Sequence, residues 1–280
     1  MYNNENALME TSTFILPTVA AGDFSNEDLA EDMAGLQLSF QRVKIPAGGA
    51  LQFEVPSDDP ENPDYAKTLE GVILYNHAGN AYWPDGGYDE DESGTPLCSS
   101  VDGINGIGNP GGSCEVCPLN AWGSGDSGRG KACKNMRHLY LLRSGDYMPI
   151  QVILPPTSIR PFNDFVSTIF AARRRGTCGS IIQIALKRVD NGNTYSVATF
   201  KKLADFTGEQ LAQIKLYTSG FKSQVKMLLQ HRTDAAESRP ESMMEMDATV
   251  YGDVYGGSDE GFSISSADDV IDGDRDALPA

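Results

Sequence analysis

No stretch of this 280-residue chain approaches the roughly 18 consecutive apolar residues that a membrane-spanning helix needs. The leading segment carries Glu5 and Glu10 where a secretion signal would carry Lys or Arg, and its apolar run from Phe14 to Ala21 is broken by Pro17. These two absences make the expectation a soluble, cytoplasmic protein in a reducing compartment, with no membrane partner. Histidine is scarce too, with only His77, His138 and His231 present. There is no H-E-x-x-H pair and no nucleophile elbow, and the acidic runs Asp85–Glu92 and Asp58–Asp64 read as solvated loops rather than a catalytic carboxylate set, so the chain reads as non-enzymatic.

Basic residues are also in short supply, with 22 Lys and Arg against 39 Asp and Glu and a net charge of −17. Their distribution says more than the total. Residues 1–119 hold 20 acids and 3 bases, residues 120–233 hold 6 acids and 17 bases, and residues 234–280 hold 13 acids and 2 bases. A basic middle followed by an acidic, weakly apolar tail is the charge pattern of a chain whose middle meets polyanions.

What the chain does have is a cysteine-centred stretch. Four of its 5 cysteines fall between Cys98 and Cys133, spaced C-x15-C-x2-C-x15-C, in a glycine-rich segment that cannot bury enough apolar surface to hold itself together. The tight pair Cys114 and Cys117, followed by Pro118, suits half of a tetrahedral zinc site, and Cys98 and Cys133 complete it. Four thiolates leave no open position for water, so the expected Zn2+ is structural. Disulfides or unrelated thiols are the other reading, and the missing secretion signal weighs against them. His138, or His77, could stand in for one cysteine.

Around this insertion, at about 84–135, the periodicity reads mainly β with minor α. Alternating apolar residues from Leu36 to Ile45, then Leu51–Val55, then Leu69 to about Trp83 give three strands, with a bulge near Gln41 and Arg42. His138–Arg143 and Met148–Leu154 give two more. Ser158 is placed to cap a helix that ends at Gly176, and Asp190-Asn-Gly-Asn joins a hairpin of 180–189 and 194–203. Thr207 and Gln210 form a capping box for a last helix. This order suggests an OB-like five-stranded barrel over 36–233 with an inserted four-cysteine zinc module and a C-terminal helix. Residues 1–35 read as a flexible segment with a short helix around Asn26–Met33, and 234–280 as a disordered acidic tail.

Several motifs match by letter alone. Gly125-x4-Gly130-Lys131 resembles a phosphate loop but has Ala132 where a magnesium-binding hydroxyl belongs, and Gly106-x-Gly108-x-x-Gly111 contains Pro110 and opens no helix. Cys178 follows three arginines without a neighbouring histidine and reads as packing. The basic residues carry more, because aromatics are interleaved with them. Trp122, Arg129, Lys131, Lys134, Arg137, Tyr140 and Arg143 form one run. Lys187, Arg188, Lys201 and Lys202 belong to the hairpin, and Arg42 and Lys44 to the first strand. Cations that track phosphates beside rings that stack on bases are what single-stranded nucleic acid requires.

The stretch Cys114-x2-Cys117-Pro-Leu-Asn, with Trp122-Gly-Ser, Gly-Lys-Ala-Cys133-Lys and Leu154-Pro-Pro-Thr-Ser158, resembles the single-stranded-DNA-binding proteins of phage and mobile-element replication modules. The OB-like strand order and acidic tail point the same way. The resemblance covers roughly 36–205. It implies single-stranded DNA as partner, in replication or recombination, in the host cytoplasm if phage-encoded. It also implies a tail that competes with DNA for a basic groove and recruits replication proteins, although the terminal aromatic that many such tails use is absent here. A zinc-stabilised protein-interaction or regulatory module that binds no nucleic acid is the alternative.

Overall fold

The computed structural model describes residues 14–17, 39–46, 48–57, 59, 62–84, 96–125, 128, 130–192 and 194–237, with side chains as far as Gln230. The short helix expected around Asn26–Met33, the strand residues Leu36 and Leu38, and the tail beyond 237 lie outside the described residues.

Eleven strands and two α-helices are present among the described residues. In chain order the strands are β1 (Arg42–Lys44), β2 (Phe53–Val55), β3 (Asp64–Ala66), β4 (Thr68–Tyr82), β5 (Cys98–Ser100), β6 (Asn105–Gly108), β7 (Gly112–Ser113), β8 (Cys133–Leu142) and β9 (Ile150–Leu154). Helix α1 (Pro156–Phe165) follows, then the hairpin β10 (Ser180–Asp190) and β11 (Thr194–Asp205), then α2 (Gly208–Glu237). The main sheet runs β1-β9-β8-β4-β5-β6-β7, with β10 joined to the first residues of β4 and β11 to β10. The chain is therefore mainly β with minor α.

Among the described residues this sheet does not close, which corrects the expected five-stranded barrel. The reason lies in β4. It runs 15 residues, long enough to pair with β10 near its start, β8 along most of its length and β5 at its end. One strand thus organises an open sheet, and β1 joins β9 in parallel at its far edge. Arg42 to Lys44 pair with β9 in unbroken register, and the residues before Ser39 that the bulge expected near Gln41 and Arg42 would join lie outside those described. A slip that the periodicity did not signal occurs in β4 at Leu74, between Ile73 and Tyr75 in its register with β8.

Both faces of the sheet are covered, and the period-two alternation of strand side chains divides the core in two. Leu69 and Ile73 of β4, Leu139 and Leu141 of β8, Val152 and Leu154 of β9 and Ile182 and Ile184 of β10 face one core, closed by Phe162 and Phe170 after β9 and by Phe53 and Val55 of β2. Val72, Leu74, Tyr140, Leu142 and Ile181 face the other, roofed by Ile214, Tyr217, Phe221, Val225 and Leu229 of α2. Those five recur at helical spacing, so a single stripe of α2 is apolar.

Two other boundaries move. Phe14 and Leu16, assigned to a flexible segment by sequence, are buried in the second core. Their backbone is anchored where Ile15 N–H donates to Ser144 Oγ at 2.9 Å and Gly145 N–H donates to Ile15 O at 3.0 Å. Residues 234–237, assigned to the tail by sequence, belong to α2, which continues to Glu237. Ser158 does not cap α1. The cap position is Pro155, and Ser158 sits one turn inside, fully buried.

Candidate metal centre and basic surface

The cysteine pocket is built on the last rung of β4. Tyr82 pairs with Cys98 on one side and Cys133 on the other, so β5 and β8 deliver two thiols to the same end of the sheet. The Cys114–Cys117 knuckle is brought over them by backbone hydrogen bonds. Cys114 N–H donates to Ile104 O at 2.8 Å, and Asn120 N–H closes the turn on Cys117 O at 3.0 Å. Asn120 Nδ2 also donates to Cys114 O at 2.7 Å, while Asn120 Oδ1 accepts from Asn135 Nδ2 at 3.1 Å and Lys131 Nζ at 3.2 Å. Asn135 in turn donates to Asn80 Oδ1 at 2.7 Å. An amide chain thus ties the knuckle to β4 and β8. Close approach is required at Gly106, where a Cβ would stand 2.9 Å from Cys98 Sγ.

All four cysteines line one pocket of about 10 Å³, the size of a single small occupant. Three of them are buried, Cys117 is half-buried, and none is in a disulfide. Burial pushes the Cys133 thiol up to about 12, and the neighbouring Cys114, Cys98 and Cys117 add to the rise against a smaller opposing effect of Lys131. Burial likewise raises Cys98, in part offset by the Gly111 backbone, with Cys114 and Cys117 again contributing. As they stand, no three or more of the described His, Cys, Asp and Glu side chains form a group that could hold a metal ion. What speaks for zinc is the chemistry of the residues gathered here: four cysteines line one small pocket, and thiolate sulfur is a usual zinc ligand whose mutual repulsion a divalent cation relieves.

His77 and His138 take no part in this pocket. His138 lies five residues beyond Cys133 on the continuous strand β8, an odd step that turns it to the opposite face. There it stacks on His77, its partner across β4, and with Tyr140, Gln151 and Arg42 lines a separate cavity of about 30 Å³ beneath Leu228 and Leu229 of α2. Burial lowers both imidazoles, His138 to about 3 with His77, Arg42 and Arg137 adding to the effect. Gly79 makes room for this ring, since any Cβ there would overlap His138 Nε2.

The sequence-predicted basic surface separates into parts. Trp122 is 55% exposed, and Gly123 N–H donates to Gly130 O at 2.6 Å, so Trp122 and Lys131 flank one hydrogen bond. Lys134 Nζ donates to Lys131 O at 3.2 Å and completes this group. Lys44, Lys187 and Lys201 are exposed, while Arg188 donates to Gly49 O and Lys202 to Asp205. Arg143 pairs with Asp146 at 2.7 Å. Arg137 Nε donates to Asn76 Oδ1 at 2.8 Å. Arg129 lies outside the described residues.

Two expectations are corrected. Tyr140 is 2% exposed, ringed by Phe40, Tyr75 and Phe221, with its hydroxyl on His77 Nε2 and Gln151 Nε2. It has no face to offer a base, because α2 covers the side of β8 that a one-sided sheet would leave open. Arg42 lines the interior cavity rather than a groove. Sequence reasoning passed over Arg173, Arg174 and Arg175 as a surface. It also passed over the Asn80, Asn135 and Asn120 chain, whose signal is the pair of asparagines that face each other across β4 and β8.

Comparison with protein-family models, with curated proteins and with solved structures finds no match.

Proposed function

We propose that the protein binds single-stranded nucleic acid without catalysis, in the manner of the single-stranded-DNA-binding proteins of phage or mobile-element replication and recombination, through a module stapled by structural zinc. The observation that carries this reading is that exposed Trp122 and Lys131 flank the hydrogen bond from Gly123 N–H to Gly130 O, with Lys134 donating to Lys131 O, in the segment between Cys117 and β8. An indole face is a stacking platform, and an ammonium group with three donors can hold a protein acceptor and still meet a phosphate. The sheet is not a closed OB barrel, so the reading rests on this module and on the exposed Lys187 and Lys201 of the hairpin rather than on a barrel groove.

Cys98, Cys114, Cys117 and Cys133 would hold the zinc. Bound there, it cross-links the knuckle to β5 and β8 and supplies no reacting position. The acidic residues of 234–280 would compete with nucleic acid for the cations or recruit replication proteins.

Fluorescence titration of the purified protein with an unstructured oligothymidine, at two salt concentrations, tests the reading. Quenching of Trp122 and an affinity that falls steeply with salt are expected. A weak, salt-insensitive response would favour a second reading, a zinc-stabilised module for protein partners. That reading draws on Leu97, Ile104 and Val116, which are exposed on the same insertion.

A further inference from the structure

We propose that the turn Arg173-Arg174-Arg175, with Lys202 beside it, is a second docking point for the phosphodiester groups of single-stranded nucleic acid, near the other end of β4 from the cysteine pocket. This inference rests on the nucleic-acid reading above and extends it to residues outside the module.

The turn is built by an irregular end to α1. The helix passes through a π-helical turn, Val166–Phe170, and a 3-10 turn, Ala171–Arg173, before Arg175 N–H closes on Phe170 O and Arg174 N–H on Ala171 O, each at 3.0 Å. Such π-turns often mark functional positions. Arg174 then takes φ +52, and it is the one non-glycine with positive φ among the described residues. Glycine is the ordinary choice at that left-handed cap and stands only two residues on, at Gly176. The chain keeps a strained arginine between two others instead, which is an outlier of the kind that points to a use.

The turn keeps a positive excess, because one carboxylate, Asp205, is set against Arg175 and Lys202 together while Arg173 is held by backbone oxygens. Arg173 Nη1 donates to Ile169 O at 3.1 Å and Thr168 O at 3.4 Å. Arg175 Nη1 lies 3.2 Å from Asp205 Oδ2, yet its side chain is 60% exposed. Lys202 Nζ meets the same oxygen at 2.6 Å, and Ser180 Oγ donates to the other. Burial pushes the Asp205 carboxyl up, but hydrogen bonds from Lys202 and Ser180 and the charges of Lys202 and Arg175 outweigh it and hold the group below its ordinary value.

A bulge makes this junction. The register of β10 and β11 slips so that Ile181 pairs with Ala204 and Ile182 with Lys202, leaving Leu203 extra. Without it Lys202 and Asp205, three residues apart, would face opposite sides of the sheet. Arg175 and Lys202 therefore share one carboxylate, with Arg173 and Arg174 on the same turn and Glu209 the next acid along the chain. Guanidinium forks match phosphate oxygens two at a time, which favours phosphodiesters over a diffuse acidic surface. Thr177 Oγ1 donates to Ile73 O at 2.9 Å and fixes the turn beside the early part of β4. From residue 73 to residue 82 at about 3.3 Å each, the two docking points are separated along the strand by about 30 Å.

The test is fluorescence anisotropy of labelled oligothymidine with the full chain, over a salt series, comparing wild type with the triple variant Arg173→Ala/Arg174→Gly/Arg175→Ala. Glycine at 174 keeps the left-handed turn. About tenfold weaker binding at low salt is expected, with a salt slope shallower by about 2, since each lost contact to a single strand removes about 0.7. The single variant Arg174→Gly, which relieves strain and so folds, should bind about threefold more weakly. If wild type binds and both variants match its affinity and slope, this turn is excluded while the nucleic-acid reading stands. If polyglutamate displaces the oligonucleotide from wild type as well as unlabelled oligothymidine does, the site is a general polyanion surface and the inference is overturned. No binding by wild type overturns both.

Discussion

The imidazole rings of His77 and His138 lie face to face across β4 and β8, with centroids 5.0 Å apart and planes 6° from parallel. Burial disfavours a charge on both, and Arg137 adds to this on either ring, while on His77 the hydrogen bond with Ala78 O and, less strongly, Asp102 act the other way without overcoming burial. A base whose folded pKa lies below its unfolded value takes up its proton first in the unfolded chain. Stability is therefore fully present above about pH 6.5 and falls as pH drops below it, by at most about 1.4 kcal/mol per pH unit for each group. For His138 the fall continues towards pH 3. Thermal melts between pH 7.5 and 4.5 measure this. In a His138→Leu variant the dependence should flatten, and an unchanged profile would show that other groups set it.

The zinc reading predicts one metal per chain by elemental analysis of protein purified without added metal. Cys114→Ser/Cys117→Ser should abolish it and loosen the insertion to proteolysis. The thiols must ionise to bind, so affinity should weaken as pH falls and each binding event should release protons. Zinc content unchanged in the double variant would place the metal elsewhere.

Trp122→Ala should weaken oligonucleotide binding by about 1–3 kcal/mol, the usual worth of one stacked base. Because Trp122 is 55% exposed, the melting temperature should barely move. An unfolded variant, or one that binds like the parent, would assign Trp122 to the packing of the cysteine insertion. Tyr140→Ala should do the reverse and destabilise the fold, as Tyr140 is a core residue.

Ser158→Ala removes the acceptor for Ala198 N–H, a buried bond of 3.0 Å between helix α1 and strand β11. An amide left without a partner in the core costs about 1–3 kcal/mol. Asn163→Ala, at an exposed position of the same helix, is the control and should cost far less. Chemical denaturation compares the two. Equal losses would mean that the hydroxyl does not matter.

A chain truncated after Glu237 should bind single-stranded DNA more tightly than the full chain, most clearly at low salt, where attraction to a tethered polyanion is least screened. The gain should shrink as salt rises. Equal binding at every salt concentration would end the idea that the acidic segment competes for the cations.

Much of the secondary structure was legible because it is dictated locally. Asp190-Asn-Gly announced the β10–β11 turn, and Pro155-Pro156 closed β9 before α1. The stripe from Ile214 to Val225 could only be one face of a helix. The C-x2-C spacing likewise proposed the pocket, and the flanking thiols were found there because Cys98 and Cys133 share the rung at Tyr82.

The length and pairings of β4 were not legible, since an apolar run does not state how many partners it will have. The same gap placed Tyr140 on the surface in the sequence reading. Its aromatic-and-basic neighbourhood looks identical whether its face of β8 is open or roofed, and the roof is α2, some 70 residues later. Likewise nothing local shows that a bulge at Leu203 turns Lys202 and Asp205 to the same side, or that they meet Arg175 across the hairpin. By itself the sequence determined the longer strands, the helices, the hairpin turn and the cysteine cluster, because backbone propensity and short-range spacing act within a few residues, whereas the short β3 and β5–β7 carry no such pattern. Only the tertiary structure decided which faces are covered and which cations gather, because burial and charge neighbourhood depend on segments far apart in the chain.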